Sequence, residues 1–421
     1  MKKTITAISF LLLCFAVASA QQQSELAVRY LKEDPSRAGN NIHCYEFFQI
    51  KDTPAPKGFK PFYVSHYGRH GSRSGFGDSH YTSLIDKLTQ ARNEGILTEG
   101  GDSLLTAAIA IKSIHNGMDG RLSQKGVRQH AMIADRLYHR YPSVFKGKKK
   151  IRVISSTVPR ALISMNGFTN SLKADNPKLE IYPDAGEKFA EYINKSGPSS
   201  ITDGYKKPYN EYQKTHRFDT TYTISVLFTD PVRGKEIAGK AVAFQDDVYS
   251  AAAIASNFDI EDNLFRFLPF DFIYSRWSLS NHRLYMGHCA SLEYGDARMK
   301  VAENLANDIV AKADEVIATG EYAADLRFGH DFPLLGLVSY LGLEGVGERC
   351  SFDDVDTHWL GFFNIPMASN LQMVFYRNKA GEVIVKFLYQ EKETLLRKLE
   401  PWQGPYYKWE DVKANLAGYL R

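Results

Sequence analysis

The sequence predicts an α/β fold: a central mixed sheet flanked by helices, with a mainly α-helical domain inserted into it. Three observations predict it. Strand-like stretches at 59–65, 151–154 and 323–328 each end in polar residues and alternate with helix-period segments, which describes a sheet with chemistry at its carboxyl edge. Near the C-terminus, Leu371 to Tyr376 and Val383 to Tyr389 alternate around Asn378-Lys379-Ala380-Gly381, a hairpin signal. Between residues 184 and 285 the pattern turns loop-like and aromatic-rich, as in Ser196-Gly197-Pro198-Ser199-Ser200 and Phe265 to Trp277, and this stretch is assigned to the insertion.

The chain opens with Lys2 and Lys3, an apolar stretch from Ile8 to Ala18, and Ala18-Ser19-Ala20. That is the pattern of a cleavable secretory leader, residues 1–20, with a mature protein starting at Gln21 and a periplasmic or secreted destination. The apolar stretch is shorter than the roughly 18 residues a spanning helix needs, so stable membrane insertion is not expected. Leu11-Leu12-Leu13 before Cys14 are not the small residues of a lipoprotein signal, which makes a lipid anchor the weaker reading. Removal of the leader leaves Cys44, Cys289 and Cys350, enough for one disulfide in an oxidising compartment or for packing alone, with the pairing open. Their separation gives no zinc-ribbon spacing.

The 421-residue chain exceeds the usual size of a single core, so residues 21–183 and 286–421 are read as an α/β catalytic domain around the 184–285 insertion. Its formal charge of +4 falls further when the two leader lysines are removed, too little to indicate nucleic acid. No protein partner is indicated.

The first strand, Phe59 to Ser65, runs into Gly68-Arg69-His70-Gly71. From Ser123 to Tyr141, Val127, Ala131, Ala134, Tyr138 and Tyr141 keep helical spacing, with Ser123 as N-cap and Pro142 as stop. Ile151 to Ile154 is the second strand; it ends at Ser155-Ser156, and a helix starts around Pro159, setting Arg160 near its N-terminus. Val301, Leu305, Ile309, Ala313 and Val316 form one helical face, closed by Gly320. Ala323 to Phe328 then leads to Gly329-His330-Asp331.

Arg69, His70 and Arg73 fall within five residues at a strand end, and two guanidinium groups beside an imidazole suit a dianionic phosphate. A histidine nitrogen can attack phosphorus and split one difficult displacement into two. Alone, an Arg-His-Gly triplet arises by chance; Arg160 and the pair His330-Asp331, at two other strand-to-helix transitions, strengthen it. Asp331 is the candidate proton donor to the departing oxygen, a role compatible with capping the helix that begins at Phe332. His66, His80 and His115 lie near the first motif, but no paired carboxylates accompany them, so neither a metal nor another cofactor is expected.

These motifs resemble the histidine acid phosphatases, which pair RHGxRxP with a distal HD. Here Arg69-His70-Gly71-Ser72-Arg73-Ser74-Gly75 has glycine at the proline position, and His330-Asp331 supplies the second motif. Gly120-Arg121-Leu122-Ser123-Gln124-Lys125-Gly126 with Gln129-His130, and Pro366-Met367-Ala368-Ser369-Asn370-Leu371, resemble two further family segments. The resemblance implies His70 as nucleophile, Arg69, Arg73, Arg160 and His330 as phosphate ligands, Asp331 as proton donor, no metal, and a phosphoglycerate-mutase-like α/β domain roofed by an α domain. The frame around Gly329-His330 and Pro333-Leu334-Leu335 is similar to multiple inositol polyphosphate phosphatases, which carry HAE there; His330-Asp331-Phe332 instead follows the phytase arrangement. The expected substrate is a small phosphomonoester, with inositol polyphosphates such as phytate first and sugar phosphates or a broad range second. Phosphoglycerate-mutase-like relatives with a glutamate donor fit less well, and a noncatalytic phosphate-binding protein would lack the nucleophile or donor.

Overall fold

The computed structural model describes residues 23–193 and 218–418, with Lys206, Asn210 and Glu211 between them. The expected leader lies outside the described residues. Eight strands form one sheet: β1 (Lys60–Arg69), β2 (Lys150–Ser155), β3 (Glu180–Ala185), β4 (Tyr322–Gly329), β5 (Asn370–Arg377), β6 (Val383–Tyr389), β7 (Lys392–Glu393) and β8 (Tyr406–Lys408). Their order is β3-β2-β4-β1-β5-β6-β7, with β8 also on β6. The sheet is mixed, and β1 is where its character changes. β1 runs parallel to β4, with Ser65 opposite Asp325, and antiparallel to β5, with Ser65 also opposite Met373. β2 is parallel to both β3 and β4. The hairpin read from 371–376 and 383–389 is β5 and β6.

The principal helices are α1 (Glu25–Glu33), α2 (Ser79–Asn93), α3 (Glu99–His115), α4 (Gln124–Arg140), α5 (Pro159–Asp175), α6 (Ala241–Ala255), α7 (Phe270–His288), α8 (Gly295–Thr319) and α9 (Asp331–Leu341). α4 and α5 cover one sheet face, where Ile133, Leu137, Phe168 and Leu172 pack on Val64, Val153 and Phe328. α8 and α9 cover the other, with Leu305, Ile309, Leu334 and Val338 against Tyr63, Tyr67, Leu371 and Phe375. Burying one such side chain completely contributes roughly 1.5–3 kcal/mol before entropy is counted, so two covered faces hold the sheet firmly.

Local signals explain the helix limits. The Ser123 hydroxyl accepts from the Gly126 amide as the N-cap of α4, and α8 stops at Gly320, whose φ of 65° suits glycine. The buried face of α4 differs from the expected one: Val127, Ala131 and Tyr138 are only partly buried, whereas Gly126, Gln129, His130, Ile133, Ala134 and Leu137 are buried. The reason is polar. Gln129 and His130 face inward beneath the loop after β1, so hydrophobic spacing alone misplaces the face.

A third core joins α2, α3, α6 and α7 through Leu84, Leu88, Leu104, Leu227, Phe244 and Trp277. This helical body therefore draws on residues 79–115 as well as on the 184–285 stretch, and α7 runs across residue 285. Cys44, Cys289 and Cys350 are buried and unpaired. No described helix is long and apolar enough to cross a membrane.

Candidate active site

Backbone hydrogen bonds join four segments at the carboxyl edge of the sheet. The His70 amide donates to Gly329 O (3.0 Å), the Arg69 amide to Ser369 O (2.8 Å), the Ala368 amide to His70 O (3.0 Å) and the Ser156 amide to Phe328 O (2.9 Å). The ends of β1, β2 and β4 and the lead-in to β5 are thereby locked together. The loop after β1 is pinned from α4 and α5: Ser72 N donates to Gln129 Oε1 (2.8 Å), Gly71 N to Ser164 Oγ (3.1 Å) and Ser123 N to Ser72 O (2.9 Å). Gly71 and Gly126 touch here. A Cβ on Gly71 would stand 2.6 Å from Gly126 O, and one on Gly126 would stand 2.3 Å from Ser72 O, so both positions require glycine for close approach. At Gly75, the position where the related motif has proline, an added Cβ would stand 3.0 Å from the Tyr81 hydroxyl.

His70 is 2% exposed, and its Nδ1 lies 3.0 Å from Gly71 O. A carbonyl only accepts, so Nδ1 carries the proton and Nε2 keeps its lone pair. Burial first, then the charges of Arg69, Arg73 and Arg160, hold this imidazole well below its ordinary pKa and therefore neutral. A neutral ring with an available nitrogen among guanidinium groups is the condition for attack on a phosphorus atom.

His330 meets His70 edge-on, with ring centroids 5.6 Å apart. Arg160 Nη2 lies 3.3 Å from His330 Nδ1, and Ser156 Oγ lies 3.1 Å from His330 Nε2. Arginine can only donate, so Nδ1 accepts and the Nε2 proton goes to Ser156. Burial and then Arg160 push this histidine down to about 4. Its ring stacks on Phe332, with centroids 5.7 Å apart and planes 2° from parallel.

The arginines divide by their partners. Arg69 is fully buried: Nη1 donates to the carbonyls of Asn41 (2.7 Å) and Ile365 (2.6 Å), and Nη2 pairs with Asp331 Oδ2 at 3.0 Å. Arg73 donates from Nη1 to Ser74 O (2.7 Å), and Arg160 donates from Nη1 to Gly120 O at 3.4 Å; neither has a carboxylate partner among the described residues. Burial, then the charges of Arg69 and Arg160, lower Arg73 to about 10, which leaves it a cation at any working pH. Both lie under the exposed ring of Phe76, the Arg73 guanidinium carbon 4.1 Å and that of Arg160 5.5 Å from its centroid.

Asp331 is the first residue of α9, and its Oδ1 accepts from the Phe332 amide at 3.0 Å. His330, not Asp331, occupies the N-cap position, so the carboxylate acts from inside the first turn, where the helix dipole favours negative charge. Asn41 Nδ2 donates to Asp331 Oδ2 at 3.0 Å. Burial pushes this carboxyl upward, but the Arg69 guanidinium and the Asn41 bond hold it well below the usual carboxylate range. Asp331 is therefore ionised.

The six residues singled out from sequence thus gather at one sheet edge. His66, His80 and His115 do not join them. His66 is buried between Phe168 and Phe328, His80 pairs with Asp247 at 2.7 Å, and His115 reaches Gly75 O at 3.3 Å. Asn41, Ser156, Gln129 and Phe76 escaped the sequence reading as site residues. Ser156 and Phe76 adjoin recognised motifs and could have been found by adjacency; Asn41 carries no local signal.

A sequence profile described as the histidine phosphatase superfamily, branch 2, matches residues 68–390. No curated protein matches the sequence. Among solved structures, the chain is similar to a multiple inositol polyphosphate phosphatase of Bifidobacterium longum in complex with phosphate: TM-score 0.73 and 18% identity over 90% of this chain and 97% of that one. It is also similar to the phytase from D. castellii, with TM-score 0.66 and 15% identity over 96% of this chain and 89% of that one. The Hafnia alvei phytase in complex with tartrate gives TM-score 0.53 and 11% identity over 87% and 98% of the two chains. At these identities the structures speak to the fold, while the profile, spanning both catalytic motifs and most of the chain, carries the family: the chain belongs to branch 2 of the histidine phosphatase superfamily and is an enzyme of the histidine acid phosphatase kind.

Proposed function

We propose that this enzyme hydrolyses phosphomonoesters through a phosphohistidine at His70, with inositol polyphosphates such as phytate as preferred substrates. The observation that carries the reading is the His70 ring, neutral and protonated on Nδ1, beside Arg73 and Arg160, which have no carboxylate of their own. In the first step His70 Nε2 forms a bond to phosphorus and the phosphorus–oxygen ester bond breaks; Asp331 gives its proton to the departing alkoxide, releasing an alcohol. In the second, water attacks phosphorus, Asp331 takes a proton from it, and the nitrogen–phosphorus bond breaks to release phosphate. Arg73 and Arg160 bind the equatorial oxygens, where charge spreads in the transition state, and His330 joins them by turning its Nε2 proton from Ser156 to the phosphate.

Asp331 is ionised before substrate arrives, so its proton enters with the substrate. A phosphomonoester loses its second proton near pH 6, and below that it reaches the site as a monoanion. Its charge, set against Arg69, also weakens the hold on the Asp331 carboxylate, which lets the proton move across. Activity is therefore highest in acid and falls as pH rises through about 6, by the titration of the phosphate.

The preference for inositol polyphosphates is supported by the family and by the activities named for the similar structures. A sugar-phosphate or broad acid phosphatase would use the same residues and is the second reading. The leader of residues 1–20 supports export to the periplasm or beyond, and residues 184–285 are proposed as the main part of the helical roof.

Phosphate release from phytate and from glucose 1-phosphate is measured at about pH 5 with EDTA present, beside His70→Ala; the acidic pH follows from the required proton. Phytate-preferring release that disappears in the variant is expected. A glucose 1-phosphate preference selects the second reading, and no release from either, or full activity in His70→Ala, overturns the mechanism.

A further inference from the structure

The wall of the phosphate cup carries one cation more than a single phosphate uses. Residues 72–75 and 120–123 run side by side: Arg73 bridges Leu122, Ser74 N donates to Arg121 O at 2.9 Å, and Gly120 N donates to Gly75 O at 2.6 Å. Arg121 therefore sits one residue from the position facing Arg73, and its neighbour Gly120 gives its carbonyl to Arg160. The Phe76 ring packs over Gly120, where an added Cβ would meet it at 3.0 Å, and leans on both Arg73 and Arg160.

Arg121 itself is exposed and makes no ion pair among the described residues. Burial lowers Arg160, and Arg121 is among the charges that lower it further, so the two guanidinium groups are near enough to repel. Arg69 is already balanced by Asp331. Arg73 and Arg160 together match the two charges of one reacting phosphate. Arg121 is left over, next to Gly120, on which the exposed Phe76 ring packs.

We infer that Arg121, with Phe76 beside it, forms a second anion subsite that holds a neighbouring phosphate of a polyphosphorylated substrate while the first is attacked by His70. The subsite rests on the phosphatase reading and deepens it, because it names the feature that separates a polyphosphate from a monophosphate substrate. Its chemistry is a charge-assisted hydrogen bond from an exposed guanidinium, with the Phe76 ring limiting the water that competes for it.

The test compares the enzyme and Arg121→Gln on inositol hexakisphosphate and on phenyl phosphate. The KM for inositol hexakisphosphate is expected to rise about tenfold with kcat little changed, as loss of a charged hydrogen bond to a bound group requires. On phenyl phosphate, which has no second phosphate, KM is expected to stay within about twofold. Arg121→Lys should recover part of the loss, since it restores the charge without the fork. Equal changes on both substrates, or none on either, overturn the proposal. Should the enzyme cleave phenyl phosphate but not inositol hexakisphosphate, the substrate reading fails on its own; the subsite is then decided by fructose 1,6-bisphosphate against fructose 6-phosphate, with the same variant and the same criteria.

Discussion

Arg69 and Arg160 flank the same histidine, but one belongs to the floor of the site and the other to its wall. On the floor, Arg69 is fully buried and spends its donors on two backbone carbonyls and Asp331. On the wall, Arg160 is half-buried and has a long bond to Gly120 O, a contact to His330 and the Phe76 ring over it, with no carboxylate paired to it among the described residues. The charge of the floor is balanced without substrate; that of the wall is not. A preorganised floor fixes where His70 and Asp331 stand, and in the proposed mechanism a wall of unbalanced cations supplies the attraction for phosphate. The same residue type thus does scaffolding on one side of the nucleophile and recognition on the other.

That contrast is most exposed to failure at Arg69. Arg69→Ala leaves Asp331 partly buried without its partner and two carbonyls without donors, so a loss of about 3–5 kcal/mol in folding stability, with loss of turnover, is expected from denaturant titration. A stable Arg69→Ala with merely weakened phosphate binding would put Arg69 on the wall instead. Next comes Asp331→Asn, expected to slow an alkyl phosphate by about a thousandfold while sparing p-nitrophenyl phosphate, whose leaving group needs no proton. Equal losses on the two esters would remove Asp331 from proton transfer. Arg160→Ala should lower kcat/KM by about a hundredfold while shifting stability by no more than about 0.5 kcal/mol, since it breaks no buried ion pair. A large stability loss would erase the distinction between wall and floor.

The smallest effect lies beneath the floor. Burial lowers His66 to about 3 and His130 to about 4. In the unfolded chain such histidines take up protons near pH 6.5, whereas the native state does not until about pH 4. The unfolded state therefore binds more protons in that window, and stability falls as pH drops through it, by about 1 kcal/mol per pH unit for each histidine. His66→Leu should remove one share of the loss between pH 7 and pH 5; an unchanged loss would mean His66 is protonated or solvated in the native state. An enzyme working in acid accepts this slope, and phosphate bound in the cup opposes it by mass action.

How much was legible follows the same division. The six candidate side chains were readable because Arg69 to Arg73, Arg160 and His330-Asp331 stand at strand ends that periodicity and polar termini locate. The partners of the floor were not. Asn41 comes from a 3-10 segment, Pro35–Ile42, with no repeating pattern, and Ile365 offers only a carbonyl, which no side-chain pattern announces. The inward face of α4 was misread for a related reason: Gln129 and His130 are buried to serve the loop after β1, against the rule that polar residues face water. The alternation of strands and helices gave the sheet, but not that α2 and α3 would share a core with residues 224–277.

The place of β1 in the sheet also sets a timetable. Both of its neighbours, β4 and β5, lie beyond residue 321, so the strand that leads to His70 stays unpaired on both edges until most of the chain has been made. Pairings this distant in sequence are slow to form, because a long loop must close before any contact repays it. The chain therefore emerges with its two catalytic motifs far apart and without a phosphate cup. The proposed site comes together only with the last hundred residues, so a polypeptide cut short before β5 lacks both strands that flank β1 or one of them, and the edge on which His70 stands is never completed.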